Sequence, residues 1–249
     1  MEENSRLILA KIEEELYRSI QTKTIQIVRY IGDDIAEPCA TAVLLDWDGN
    51  RFALTAGHVF SGEDESKIGV AIGNTFFPLG TNVHYENDDS IDLAIVPIMD
   101  SLVDKLFEFG YHFTNKGDIF ENHHINDANV YFMMGYPASR TKERMGVVRR
   151  QGFCFSTKGL ADEKSYAFPN INLEYNAILS FHRKDIISYK TDKSLKMTAP
   201  KMNGMSGSGL WLLCNGRIRL VGIMTEYDYI NSVLFATKIH IFMEQLRRL

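Results

Sequence analysis

The stretch LWLLCNGRIRLVGIM, Leu210 to Met224, restricts the fold more than any other segment of this chain. Two apolar runs meet at Asn215-Gly216. Asn-Gly tolerates positive φ at both positions, so it closes a two-residue hairpin between antiparallel strands. The same texture recurs along most of the sequence. TIQIVRYI alternates and is β-branched, and CATAVLLDWDGNRFALTAGHVF reads as strand, turn at Asp48-Gly49-Asn50, strand. KIGVAIG, TFFPLG and IDLAIVPIM follow, then NVYFMMGYP, GVVRRQGFCFST, INLEYNAILSF, DIISYKT and YINSVLFATKI, each broken by Gly, Pro or Asn. Short runs of this kind are strands.

Helical spacing occurs only at the ends. Leu7, Ile8, Ile12, Leu16 and Ile20 make one apolar stripe, and Ile239, Phe242, Met243 and Leu246 another. The expectation is an all-β chain, barrel or sandwich, with an N-terminal helix and a C-terminal helix. Its units are a helix over 1–22, a first β unit over 23–105, a polar connector over 106–127, and a second β unit with the closing helix over 128–249.

Composition narrows the function classes. The chain has 249 residues and a net charge of −5, which argues against a dedicated nucleic-acid binder. No apolar window approaches membrane-spanning length, and the acidic start MEENSRLILA has too short an apolar run for an export signal. A soluble, cytoplasmic protein is expected. Cys39, Cys154 and Cys214 are far apart with no CxxC pair, which argues against disulfides and zinc. His112, Glu121, His123 and His124 match no closed metal site, so neither metal nor cofactor is expected.

Chemistry is suggested first by NGMSGSG, Asn203 to Gly209. Glycines around Ser206 permit a tight turn and close approach of a ligand to the backbone. Such a turn can aim the amides of Gly204 and Ser206 into one space, as an oxyanion requires. A Gly/Ser hairpin loop has the same local pattern, and a serine hydroxyl is inert without a base. A strand–serine–helix elbow does not fit, because strand, turn and strand follow Ser206. Upstream, TAGHVF ends an apolar strand with His58, and IDLAIV opens another with Asp92. A carboxylate entering an apolar strand needs a partner, and a histidine ring N–H is a suitable one. Either residue alone reads more readily as structural.

In chain order, TAGHVF, DLAIV and GMSGSGLW resemble the trypsin/chymotrypsin superfamily of serine peptidases, with YFMMGYP and RLVGIMTE in support, over residues 25–240. The resemblance implies two six-stranded β-barrels with the site in the cleft between them. It implies that Ser206 attacks the scissile carbonyl, His58 carries the proton, Asp92 orients the imidazole, and the Gly204 and Ser206 amides bind the oxyanion. Thr225 matches a small hydroxyl residue near the buried Asp.

Two departures matter. Met205 stands where the digestive members have the Asp that pairs with a newly released amino terminus, so activation by trimming is not expected and the intracellular, bacterial-type members are the better match. Pro200 stands at the pocket floor, which gives no acidic floor. Glu226 and Tyr227 fall on the pocket wall, where Tyr227 would favour small or medium apolar groups and Glu226 would instead recruit a basic one. The implied function is a serine endopeptidase acting on protein or peptide substrates. The alternative is a latent trypsin-fold binding or regulatory module switched on by a protein partner.

Overall fold

The computed structural model describes residues 14–32, 35–73, 75–80, 82–87, 91–144, 147–160, 168, 171–183, 186–188 and 195–249. A helix, α1, covers 14–21; the rest of the helix expected over 1–22 falls largely outside the described residues. The first β unit follows: β1 (Thr24–Gly32), β2 (Ile35–Trp47), β3 (Asn50–Thr55), β4 (Ile68–Ile72), β5 (Thr75–Pro78), β6 (His84–Asn87) and β7 (Asp92–Pro97). They pair antiparallel in the order β5-β4-β1-β2-β3-β7-β6. The β2–β3 turn puts Asp48 and Gly49 at φ 53° and 89°, and Asn215-Gly216 sits at 50° and 72°. Both are the left-handed pairs that a two-residue hairpin needs.

The connector is more structured than its polarity suggests. Asp100–Glu108 forms helix α2, which buries Leu102, Val103 and Leu106 and crosses the boundary expected at residue 105. Its three apolar residues share one face, a pattern masked by the charged residues between them. β8 (Thr114–Asn115) then adds parallel to β2, and Ile119 bridges to Leu220 of the second unit. The connector therefore stitches the two units together.

The second unit contains β9 (Val130–Gly135), the ribbon β10 (Thr141–Arg144) and β11 (Val147–Arg150), then β12 (Phe153–Gly159) and β13 (Asn176–Ser180). A small ribbon of β14 (Ile186–Ser188) and β15 (Leu195–Met197) precedes β16 (Gly209–Cys214), β17 (Arg217–Asp228), β18 (Val233–Lys238) and helix α3 (Ile239–Leu246). Six of these close a barrel in the order β12-β13-β18-β17-β16-β9.

Three apolar cores explain why many strands read as unbroken apolar runs. On β2, Ala42 and Leu44 enter the core of the first unit, while Val43 and Leu45 enter a second core with Trp211, Phe242 and Ile20. On β7, Ala94 and Val96 face the first core, and Leu93 and Ile95 the second. Period-two geometry sends alternate residues to opposite faces, and here both faces are buried. The second core lies between the units and takes residues from both, together with α1 and α3. The barrel interior is a third core that includes Tyr131, Met133, Phe155, Leu210 and Met205. Among the described residues, no helix is long and apolar enough to cross a membrane.

Candidate active site

His58 sits on a single 3-10 turn, Gly57–Val59, directly after β3. The turn is wedged against β6 and β7. A Cβ at Gly57 would lie 2.1 Å from the Glu86 carbonyl oxygen and 2.6 Å from that of Leu93, so only glycine fits. This places His58 beside Asp92, the first residue of β7. The Asp92 carboxylate accepts from the His58 amide at 2.9 Å and meets ring Nδ1 at 2.8 Å. A carboxylate only accepts, so Nδ1 carries the proton and Nε2 presents a free lone pair. The hydrogen bond to Asp92 raises the imidazole pKa above its ordinary 6.5; burial opposes this, and the charges of Asp92 and Glu226 add to it. Asp92 is itself held by the Thr237 hydroxyl, which donates to its backbone carbonyl at 3.0 Å.

Ser206 lies in the loop before β16. Met205 is fully buried in the barrel interior and anchors that loop by packing. Thr41, on β2 of the other unit, grips the loop twice. Its hydroxyl donates to the Gly204 carbonyl at 2.7 Å, and its amide donates to the Ser206 carbonyl at 2.8 Å. The Gly207 amide donates to the Met224 carbonyl at 2.7 Å, and the Asn203 carbonyl accepts from the Ala138 amide at 2.8 Å. Gly204 takes φ 86° and Gly207 φ 89°. Every carbonyl from Asn203 to Ser206 is thus spoken for, since Met205 accepts from the Ser208 hydroxyl at 2.5 Å. The amides of Gly204 and Ser206 are not: among the described residues, neither donates to a protein acceptor. A buried, unpaired N–H is costly and rare, and two in one loop suit an incoming acceptor.

The two serines of the loop differ in kind. Ser208 is fully buried and its hydroxyl is used inside the loop. Ser206 is half-buried and lines a cleft of about 430 Å³ with His58, Asp92, Asn203, Thr225 and Glu226. Its hydroxyl donates to the Thr225 carbonyl at 3.0 Å, and no hydrogen bond joins it to His58. Thr225 is the extra residue of a bulge, because Met224 pairs Ala236 and Glu226 pairs Phe235. The β16–β17 ladder ends at Ile223 and Met224 still bonds to Gly207 and Ser208, so among the described residues β17 offers an open edge only from Thr225 onward, beside Ser206.

The residues expected to act together therefore meet in one cleft, with changes of detail. Pro200 and Gly204 do not line it; Met202 and Asn203 do. Thr225 does not bond to Asp92 through its side chain. Its carbonyl serves Ser206, and Thr237 supports Asp92 instead. Tyr227 packs edge-on against Phe181 at 5.4 Å and beside Tyr229 at 4.4 Å, in the wall of the cleft. Thr41 and Thr237 went unnoticed in sequence. Both are ordinary threonines inside strands, and their partners lie 163 and 145 residues away.

Other reactive side chains are occupied elsewhere. His123 bonds to the Tyr131 hydroxyl at 2.9 Å, and among the described residues no His/Cys/Asp/Glu group has the makings of a metal site. The three cysteines form no disulfide among the described residues and are half-buried, and burial pushes the Cys39 thiol up to about 11.

No protein-family model matches the chain, and no curated protein matches it. Solved structures do match, 618 chains in all. One is described as "Aromatic interactions drive the coupled folding and binding of the intrinsically disordered Sesbania mosaic virus VPg protein". It aligns over 89% of each chain at 13% identity with a TM-score of 0.51. At that identity the likeness is one of fold.

Proposed function

We propose that this chain is a serine endopeptidase of the trypsin/chymotrypsin kind, with its cleft between the closed barrel and a first unit that takes the place of the first barrel of that family. The observation that carries the reading is that His58–Asp92 and Ser206 line one cleft, with Ser206 on a loop whose Gly204 and Ser206 amides have no acceptor among the described residues. Ser206 Oγ attacks the scissile carbonyl, and its proton passes to His58 Nε2. The oxyanion is received by the Gly204 and Ser206 amides. Collapse breaks the C–N bond, and the His58 proton leaves with the amine. Water, deprotonated by His58, then releases the acyl group. The open edge of β17 is suited to an extended peptide, which can add to it as a strand. Three cysteines with no disulfide among the described residues fit a reducing compartment such as the cytoplasm.

A second reading has its own support. The Ser206 hydroxyl points to Thr225 rather than to His58, as in a latent module that waits for a protein partner. Labelling with a fluorophosphonate separates the two. The peptidase reading predicts a covalent adduct on the isolated wild-type chain, absent from Ser206→Ala, and peptide hydrolysis lost in the same variant. Labelling only after a partner is added supports the latent module. A peptidase activity that survives Ser206→Ala refutes both assignments of the nucleophile.

A further inference from the structure

The walls and the charge of the cleft are not those of a simple apolar pocket. Met202, Met224, Tyr227 and Tyr229 supply apolar and aromatic surface. Set among them is Glu226, an exposed carboxylate on the open edge of β17, one residue beyond the carbonyl that holds Ser206 Oγ. Among the described residues no cation pairs with Glu226, and no lysine or arginine lines the cleft. Its charge reaches the reacting centre, where it adds to the upward shift of His58. The floor position carries Pro200, outside the cleft, so a charge preference cannot come from there.

Building on the peptidase reading, we propose that Glu226 is the specificity-determining residue of this cleft and selects substrates with a lysine or arginine within two residues of the scissile bond. Strand spacing supports the position. A peptide paired with β17 advances by about 3.3 Å per residue, so a side chain near the bond at Ser206 falls opposite Glu226. The chemistry supports the residue type. Lysine and arginine have an apolar stem and a charged head, which match methionine and tyrosine walls around one carboxylate. The ring pair of Tyr227 and Tyr229, 4.4 Å apart, adds a face for a guanidinium. An acidic side chain in the same place faces the carboxylates of Glu226 and Asp92.

The test uses the full chain and a peptide library in which each position around the cleaved bond is varied, with kcat/KM measured for matched Lys, Gln and Glu peptides. Wild type is expected to prefer Lys or Arg over Gln by about tenfold, the worth of one charge-assisted hydrogen bond. Glu226→Gln should abolish that preference, and Glu226→Lys should invert it toward Glu peptides, with thermal melts confirming that both variants fold. If wild type labels with fluorophosphonate and cleaves peptides without regard to charge, the Glu226 proposal is overturned and the peptidase reading stands. The same holds if the preference persists in Glu226→Gln. If wild type neither labels nor cleaves, the peptidase reading fails and takes the proposal with it.

Discussion

Thr41 and Gly204 are 163 residues apart, yet the Thr41 hydroxyl donates to the Gly204 carbonyl at 2.7 Å. The same hydroxyl accepts from the Tyr136 amide at 3.0 Å, and the Thr41 carbonyl accepts from Thr55 at 2.7 Å. A side chain of the first unit thereby holds the Gly204–Met205 peptide of the second, next to the Asn203–Gly204 peptide that carries the Gly204 amide. Thr41→Val keeps the shape and removes the hydroxyl, leaving two buried groups unpaired. The expected cost is about 1–3 kcal/mol for each unsatisfied group. The fluorophosphonate labelling rate should fall by more than the melting temperature alone predicts, because the loop loses its orientation as well as a bond.

The two loop serines should separate cleanly. Ser208→Ala breaks the bond to Met205 and is expected to lower stability by about 1 kcal/mol, read from denaturant unfolding. Its fluorophosphonate adduct should persist. Ser206→Ala should leave stability nearly unchanged and abolish the adduct. An adduct mapped to Ser208 by peptide mass would reverse the assignment.

Gly207→Ala is expected to be far more damaging. The added Cβ would lie 1.8 Å from the Thr41 carbonyl oxygen and 2.2 Å from the Thr55 hydroxyl, at φ 89°. Backbone must move to admit it, and the loop grip on Thr41 is lost with it. Circular dichroism and melting should show a large destabilisation. A Gly216→Ala variant, with open space around its Cβ, should show only the cost of a positive φ, about 1 kcal/mol.

The pH dependence follows from His58. Its pKa is raised in the folded chain, and only the neutral ring acts as a base. The acidic limb of kcat/KM should therefore fall above the ordinary 6.5, with activity rising as pH increases through it. Stability runs the other way: the gain from the protonated pair is complete below 6.5 and disappears as pH rises through the folded pKa. Asp92→Asn removes the main cause of the shift and favours the wrong tautomer. It should move the limb to lower pH and cut kcat by up to ~10⁴-fold.

Met205 carries the loop by burial, not by charge. Met205→Ala should cost about 2–5 kcal/mol, as for other fully buried large-to-small changes. Chemical denaturation measures it. Met205→Asp should be worse, since it places an unpaired carboxylate among Tyr131, Met133 and Leu210.

Much of the β architecture was legible because local rules decide it. Left-handed turn pairs at Asp48-Gly49 and Asn215-Gly216 and the period-two runs are properties of neighbours. Helix α2 was missed because its buried stripe of Leu102, Val103 and Leu106 is short and set among charges. The seventh strand partner β6 was missed because HYEN carries almost no apolar signal and is held by its ladder to β7.

By itself the sequence determined the residue types of the candidate site and their order, His58, Asp92, Ser206, each at the end of an element that short-range chemistry builds. Only the tertiary structure decided how they meet. The clamp of Asp92 on His58, the grip of Thr41 on the serine loop, the replacement of Thr225 by Thr237 as the support of Asp92, and the exposure of Glu226 at an open strand edge all join residues distant in sequence. Such contacts depend on how two sheets pack across a shared core, and no local pattern encodes a hydrogen bond whose partner arrives from the other side of that interface.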